Sequence, residues 1–141
     1  DVYKRQVLES VDFASIGTND LTQYAMAADR LQGELAELLT PWQPAVIQLV
    51  KATCDGAGER LIGVCGEAAG DPLLALVLVG VGVRSLSMAA GKITAVKAAL
   101  SCHSLEQCHQ IAEAALAACS PEEARKAALG LADPSVEVLV S

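Results

Sequence analysis

Apolar positions fall along this chain in two rhythms: short runs of strand length, and longer stretches in which apolar residues recur three and four apart. Val11, Phe13 and Ile16, with the small Ala14 and Ser15 between them, predict a short buried strand. Gly17 ends that run, and Thr18, Asn19 and Asp20 follow at once, three polar side chains that do not sit deep in a core unpaired. Leu21, Tyr24, Ala25 and Ala28 then take up helical spacing. Leu61 to Cys65 predicts a second strand, left at Gly66-Glu67, and Ser85 to Met88 a third. A helical stretch follows each of them.

The helical stretches carry their own punctuation. Leu35, Leu38 and Leu39 continue weakly helical up to Pro41, and Trp42 sits in a tight connection between Pro41 and Pro44. Pro44 suits the first turn of a helix whose apolar face is Val46, Ile47, Val50 and Cys54, ended by Gly56 and Gly58. Asp71 and Pro72 read as N-cap and first-turn proline of a helix through Val79. The run Leu73 to Val83 is the most apolar of the chain and predicts a buried helix. It is far short of the ~20 residues that span a bilayer. After the Gly80-Val81-Gly82 turn and the third strand, Ile93, Val96 and Leu100 mark the next helix. Ser104 to Gln107 is a capping box with Ile111, Ala115 and Leu116 facing inward, and Ser120-Pro121-Glu122-Glu123 opens a last helix closed by Gly130. The apolar tail of Val136, Val138, Leu139 and Val140 is expected as a docked strand. Asp1 to Gln6 shows no period and is set aside as a non-native scar. Strand, helix, strand, helix, strand, helix predicts an α/β fold with parallel strands and right-handed crossovers.

Composition narrows this picture. A chain of 141 residues is one domain or a piece of a larger one, and with 52% hydrophobic but only 3% aromatic residues its core must be aliphatic and alanine-rich. The net charge of −7 argues against nucleic acid or an anionic membrane as partner. An anionic small molecule would then need a local cluster of cations or a metal ion. The 5 cysteines are odd in number, form no C-x-x-C pair and follow no visible signal peptide, so a reduced cytoplasmic setting is expected.

Candidate chemistry gathers at the strand ends. Asp20 offers a hard carboxylate oxygen that suits Mg2+, an ion that binds through one or two carboxylates and otherwise keeps water or substrate oxygens. Asn19 has an amide to donate to substrate oxygens, and Arg30 a bidentate fork for phosphate. The pattern alone leaves an Asx-turn or N-cap open for Asn19 and Asp20, and a solvated charge for Arg30. Cys65 is a candidate acid: a thiol of ordinary pKa ~8.5 is mostly protonated at neutral pH, and Glu67 nearby favours that form. The competing role for Cys65 is a small buried hydrophobe, the role also expected of Cys54, Cys108 and Cys119 on apolar helix faces. Cys102-His103 and Cys108-His109 fit no standard zinc spacing, and a capped helix start separates them; both histidines are expected as ordinary surface or helix-end residues.

Two stretches carry a resemblance. GTNDLTQYAMAADR (17–30) resembles the signature of phosphoenolpyruvate (PEP)-utilising enzymes, nearest to the Enzyme I branch of the sugar phosphotransferase system, and GVCGEAAGD (63–71) is similar to that family's cysteine motif. The resemblance runs from about Val11 to Leu131. It implies that the three strand–helix units are the last three of a (β/α)8 TIM-type barrel with further C-terminal helices, so that residues 7–131 are the C-terminal portion of a PEP-binding barrel and 132–141 a tail. It implies Asn19, Asp20 and Arg30 as substrate-binding residues, Asp20 as the Mg2+ ligand and Cys65 as the proton donor to the pyruvate enolate. It further implies phosphoryl transfer to a histidine of a separate domain, a phosphocarrier protein as the next acceptor, and a homodimer for the whole enzyme. Pyruvate phosphate dikinase and PEP synthase share the Asn-Asp and Cys-Gly themes, though Gln23-Tyr24 and Ala28-Asp29-Arg30 look more like the first branch. A non-catalytic dimerisation module is the other alternative. Three strands cannot close such a barrel. Leu61, Ile62, Val64, Leu86 and Met88 are therefore expected on or beside uncovered apolar surface.

Overall fold

The computed structural model describes residues 2–29, 31 and 33–140. In chain order these form α1 (Val2–Glu9), β1 (Phe13–Gly17), α2 (Thr18–Met26), a 3₁₀ segment (Gly33–Leu39), α3 (Pro44–Gly56) and β2 (Leu61–Cys65). There follow the single turn α4 (Glu67–Gly70), α5 (Pro72–Gly80), β3 (Ser85–Ser87), a 3₁₀ turn (Ala90–Lys92), α6 (Ile93–Ser101), α7 (Leu105–Leu116), α8 (Pro121–Leu131) and α9 (Ser135–Leu139). The sheet is parallel and ordered β1-β2-β3, with Gly17 opposite Cys65 and Cys65 opposite Ser87 at the carboxyl ends. The fold is α/β with an open sheet.

The pleat sorts the strand side chains onto two unlike faces. Ile62 and Val64 point into the helices and are 1% and 0% exposed, while Leu61 and its cross-strand neighbour Phe13 are 57% and 66% exposed. Ser15, Ser85 and Ser87 share that second, open face. Against the covered face lies α5, whose Leu73, Leu74, Leu76 and Val77 are fully buried. It joins one core with Ile47 and Val50 of α3, Ala99 of α6, Ile111 and Ala115 of α7, Ala124 and Ala128 of α8, and Val136 of α9. A helix apolar all round is stable only when enclosed, and the C-terminal helices enclose this one. Each such Leu or Val contributes about 1.5–3 kcal/mol as an upper estimate.

Local chemistry fixes the ends of α5. Asp71 Oδ1 accepts the amides of Leu73 and Leu74 at 2.9 and 3.1 Å, and its Oδ2 accepts the indole N–H of Trp42 at 2.9 Å. At the other end a Cβ on Gly80 would fall 2.1 Å from the Cys108 carbonyl oxygen, so only glycine lets α5 and α7 approach this closely. His109 Nδ1 donates to the Gly80 carbonyl at 2.7 Å across the same contact. The capping box at Ser104 and the Ser120 cap form as expected.

Several expectations are corrected. The first strand is less buried than its apolar residues suggest, because Val11 and Phe13 lie on the open side, 38% and 66% exposed. Ile62 and Val64 are covered, since the pleat turns them toward the helices; of the residues expected on uncovered surface, Leu61 is exposed and Leu86 and Met88 are half-buried. The opening residues from Val2 onward are helical, and Leu8 of that helix packs on Ala57 and Ile62. The tail is the short helix α9 in place of a strand: a single residue, Val136, is fully buried, which suits one helical turn better than an alternating edge. Gly130 lies inside α8, which runs on to Leu131. Cys119 is exposed in the connection before α8, off any apolar face. No described helix is long and apolar enough to cross a membrane.

Candidate functional site

The carboxyl ends of the three strands form the floor of the site, and hydrogen bonds tie them together. Thr18, 2% exposed, donates its hydroxyl to the Cys65 carbonyl at 3.2 Å. The Gly66 amide donates to the Ser87 carbonyl at 3.2 Å. The Cys65 thiol points across the sheet to the Ile16 carbonyl, with Sγ 3.6 Å from the oxygen. Thus the buried member of the Thr-Asn-Asp triplet is paired, and the other two side chains are exposed above it.

Gly66 supplies the backbone turn that this arrangement needs. Its φ of +103° is a backbone conformation that favours glycine, and a Cβ there would lie 3.4 Å from Thr18 Oγ1 and 3.7 Å from Asn19 Oδ1. The N-cap of α2 is Gly17, with no side-chain cap bond, so capping is not the role of Asn19 or Asp20. Asp20 lies in the first turn of α2, where the helix dipole favours a carboxylate.

Asn19 lines a cleft of about 750 Å³ together with Gly66, Glu67, Ser87, Met88 and Lys92. Asp20 lines a neighbouring depression with Gln23, Tyr24 and Asp29. Cys65 stands half-buried between the other two strand ends, on the same side of the pleat as the exposed Leu61. The structure therefore brings Asn19, Asp20 and Cys65 to one end of the sheet, although most of the chain's first half separates them in sequence. Arg30 lies outside the described residues. Ser87 and Lys92 are lining residues that the sequence reading did not single out, whereas Glu67 was expected near Cys65 and Met88 on uncovered apolar surface. Their signal was position: each follows or ends a strand on the side where α/β proteins place ligands.

A single hard carboxylate on an exposed helix turn fits a magnesium ion that keeps most of its other ligands as water or substrate. Among the described residues no three His, Cys, Asp or Glu side chains gather as a metal cluster. The two histidines are engaged elsewhere. His103 Nε2 accepts the Asp133 amide at 2.9 Å, so its Nδ1 carries the proton and donates to the Ala99 carbonyl at 2.7 Å. That clasp ties the end of α6 to the turn before α9, where hydrogen bonds from Ser135 hold the Asp133 carboxyl below its usual range. Burial pushes the Cys54 and Cys108 thiols up, as suits packing residues.

Comparison with known proteins extends this geometry. Residues 2–105 match the family model for the PEP-utilising enzyme, PEP-binding domain. A phosphoenolpyruvate-protein phosphotransferase of Streptomyces coelicolor is 53% identical over 126 residues, covering 88% of this chain and 23% of the relative. A multiphosphoryl transfer protein of Xanthomonas campestris is 48% identical over 116 residues, 81% of this chain and 14% of the relative. A phosphoenolpyruvate-protein phosphotransferase of Haloferax volcanii is 46% identical over 115 residues, 80% of this chain and 20% of the relative. The chain thus spans less than a quarter of the length of these relatives. With both motifs at one end of a parallel sheet and the family model matched across them, this chain belongs to the PEP-utilising enzyme family, through its PEP-binding domain.

Proposed function

We propose that this chain is the C-terminal part of a phosphoenolpyruvate–protein phosphotransferase, and that its three strand–helix units complete a (β/α)8 barrel whose other strands lie in a preceding segment. The observation that carries the reading is the pairing of Gly17 with Cys65, which sets the Asn19-Asp20 turn beside the thiol at the ligand-binding end of a parallel sheet. The relatives' names support PEP as the phosphoryl donor. The whole enzyme acts as a cytoplasmic homodimer that passes the phosphoryl group through a histidine of another domain to a phosphocarrier protein, in sugar transport.

The chemistry follows from what PEP must lose. The P–O bond to the enol oxygen breaks as a P–N bond forms to the histidine, and the electron pair left behind is shared between that oxygen and the terminal carbon. Cys65 gives its S–H proton to the carbon, which completes pyruvate, and solvent reprotonates the sulfur. Asn19 donates its amide to substrate oxygens and Arg30 holds the phosphate. Asp20 would hold Mg2+, which when bound would supply charge neutralisation for the anionic substrate.

The test uses the full-length protein carrying this segment. PEP affinity by calorimetry is expected to depend on Mg2+, and Asp20→Ala to remove most of that dependence. Cys65→Ala is expected to leave KM nearly unchanged and to lower pyruvate release about 100-fold. Equal PEP affinity with and without Mg2+ removes Asp20 from metal binding, and full turnover in the Ala variant removes Cys65 from the mechanism.

A further inference from the structure

The cleft beside Asn19 poses an electrostatic problem that the motif residues leave open on this side. Its ligand, on the reading above, carries a phosphate and a carboxylate, whereas the chain has a net charge of −7 and the cleft wall includes Glu67. An anion entering such a wall needs a facing cation in its own immediate surroundings. One described basic side chain lines this cleft, Lys92. It ends the 3₁₀ turn Ala90–Lys92, which β3 delivers to the rim and which the Lys92 amide closes on the Ala89 carbonyl at 2.9 Å.

The stem of Lys92 is positioned by its neighbour. A Cβ on Gly70 would sit in ordinary contact, 3.4 Å from Lys92 Cγ and 3.5 Å from its Cβ, so the lysine stem runs along the buried end of α4. Among the described residues no hydrogen bond or ion pair engages its ammonium. The ion pair found among the described residues joins Lys51 to Asp55, and Lys92 makes no side-chain hydrogen bond there. A long, exposed cation packed along its stem on a cleft that also holds Asn19 and Ser87 suits a ligand contact better than a structural one.

We propose that Lys92 is an anion-contact residue of this cleft, pairing with the phosphate or the carboxylate of the substrate from the β3 side. The proposal rests on the PEP-binding reading and adds a residue to it. Lys92 binds the ligand without taking part in bond making, so its effect falls on affinity and its salt dependence.

The test measures PEP binding by calorimetry and steady-state pyruvate release on the full-length protein, with K92M, K92E and K92R. K92M is expected to raise Kd and KM about tenfold, and K92E more. In both, kcat stays within about twofold and the salt dependence of binding flattens, while K92R restores affinity to within about threefold of the parent. If the parent binds PEP and K92M and K92E bind it equally well, Lys92 is not a contact and the PEP reading stands. If all three variants lose affinity alike, the position acts through packing on Gly70 and the proposal is overturned. If the parent itself binds no PEP, the functional reading falls and this inference with it.

Discussion

At the scale of single residues, the site depends on side chains that close small local circuits. Asp71 is the clearest. One carboxylate oxygen caps α5 through two amides and the other receives the indole of Trp42, itself 5% exposed. The cap and the aromatic anchor thus share one group, which couples the α4–α5 turn beside the cleft to the connection before α3. Asp71→Ala removes the cap and leaves an indole N–H without its partner in a buried setting. We expect a loss of about 2–4 kcal/mol, with Asp71→Asn recovering part of it. Urea unfolding followed by Trp42 fluorescence reads both effects; a loss below about 0.5 kcal/mol would mean the circuit carries little.

At the scale of elements, the packing of α5 against α7 decides whether the site has a stable back wall. Gly80 and Cys108 are the point of nearest approach, and a Cβ at Gly80 would come within 2.7 Å of the Ala112 side chain as well as into the Cys108 carbonyl. Backbone cannot yield there as a flexible side chain could. Gly80→Ala is therefore expected to cost at least about 3 kcal/mol, although alanine is ordinarily the better helix former. Gly130→Ala on α8 is the control, because a Cβ there meets nothing within 4 Å. Chemical denaturation of the pair is expected to move in opposite directions, and equal behaviour would contradict the close approach.

At the scale of the whole molecule, the open face governs behaviour in solution. Phe13 and Leu61 stand side by side across the ladder, both more than half exposed, and among the described residues β1 and β3 each present an unpaired edge. We expect residues 1–141 alone to self-associate and to turn over no PEP. Phe13→Ser with Leu61→Ser should lower the association seen by sedimentation or light scattering while leaving helix content intact, since neither residue enters the main core. A monodisperse monomer with measurable pyruvate production from the parent chain would overturn the partial-barrel proposal.

What the sequence determined by itself was mostly local. The capping box at Ser104 and the caps at Asp71 and Ser120 depend on neighbours within a turn, and the unbroken apolar run Leu73 to Leu78 has no polar face to expose, so all were legible as written. The Thr-Asn-Asp triplet and Cys65 were legible too, as words of two motifs. The tertiary structure decided which face of each strand is covered, which turned Ile62 and Val64 inward and left Phe13 outside, because a period of two marks alternation without naming the covered side. It made the apolar tail a helix, since the space behind α6 takes one turn anchored by Val136. It also set Lys92 and Asn19 on one cleft, a juxtaposition made by parallel strand pairing between residues that no periodicity in the chain connects.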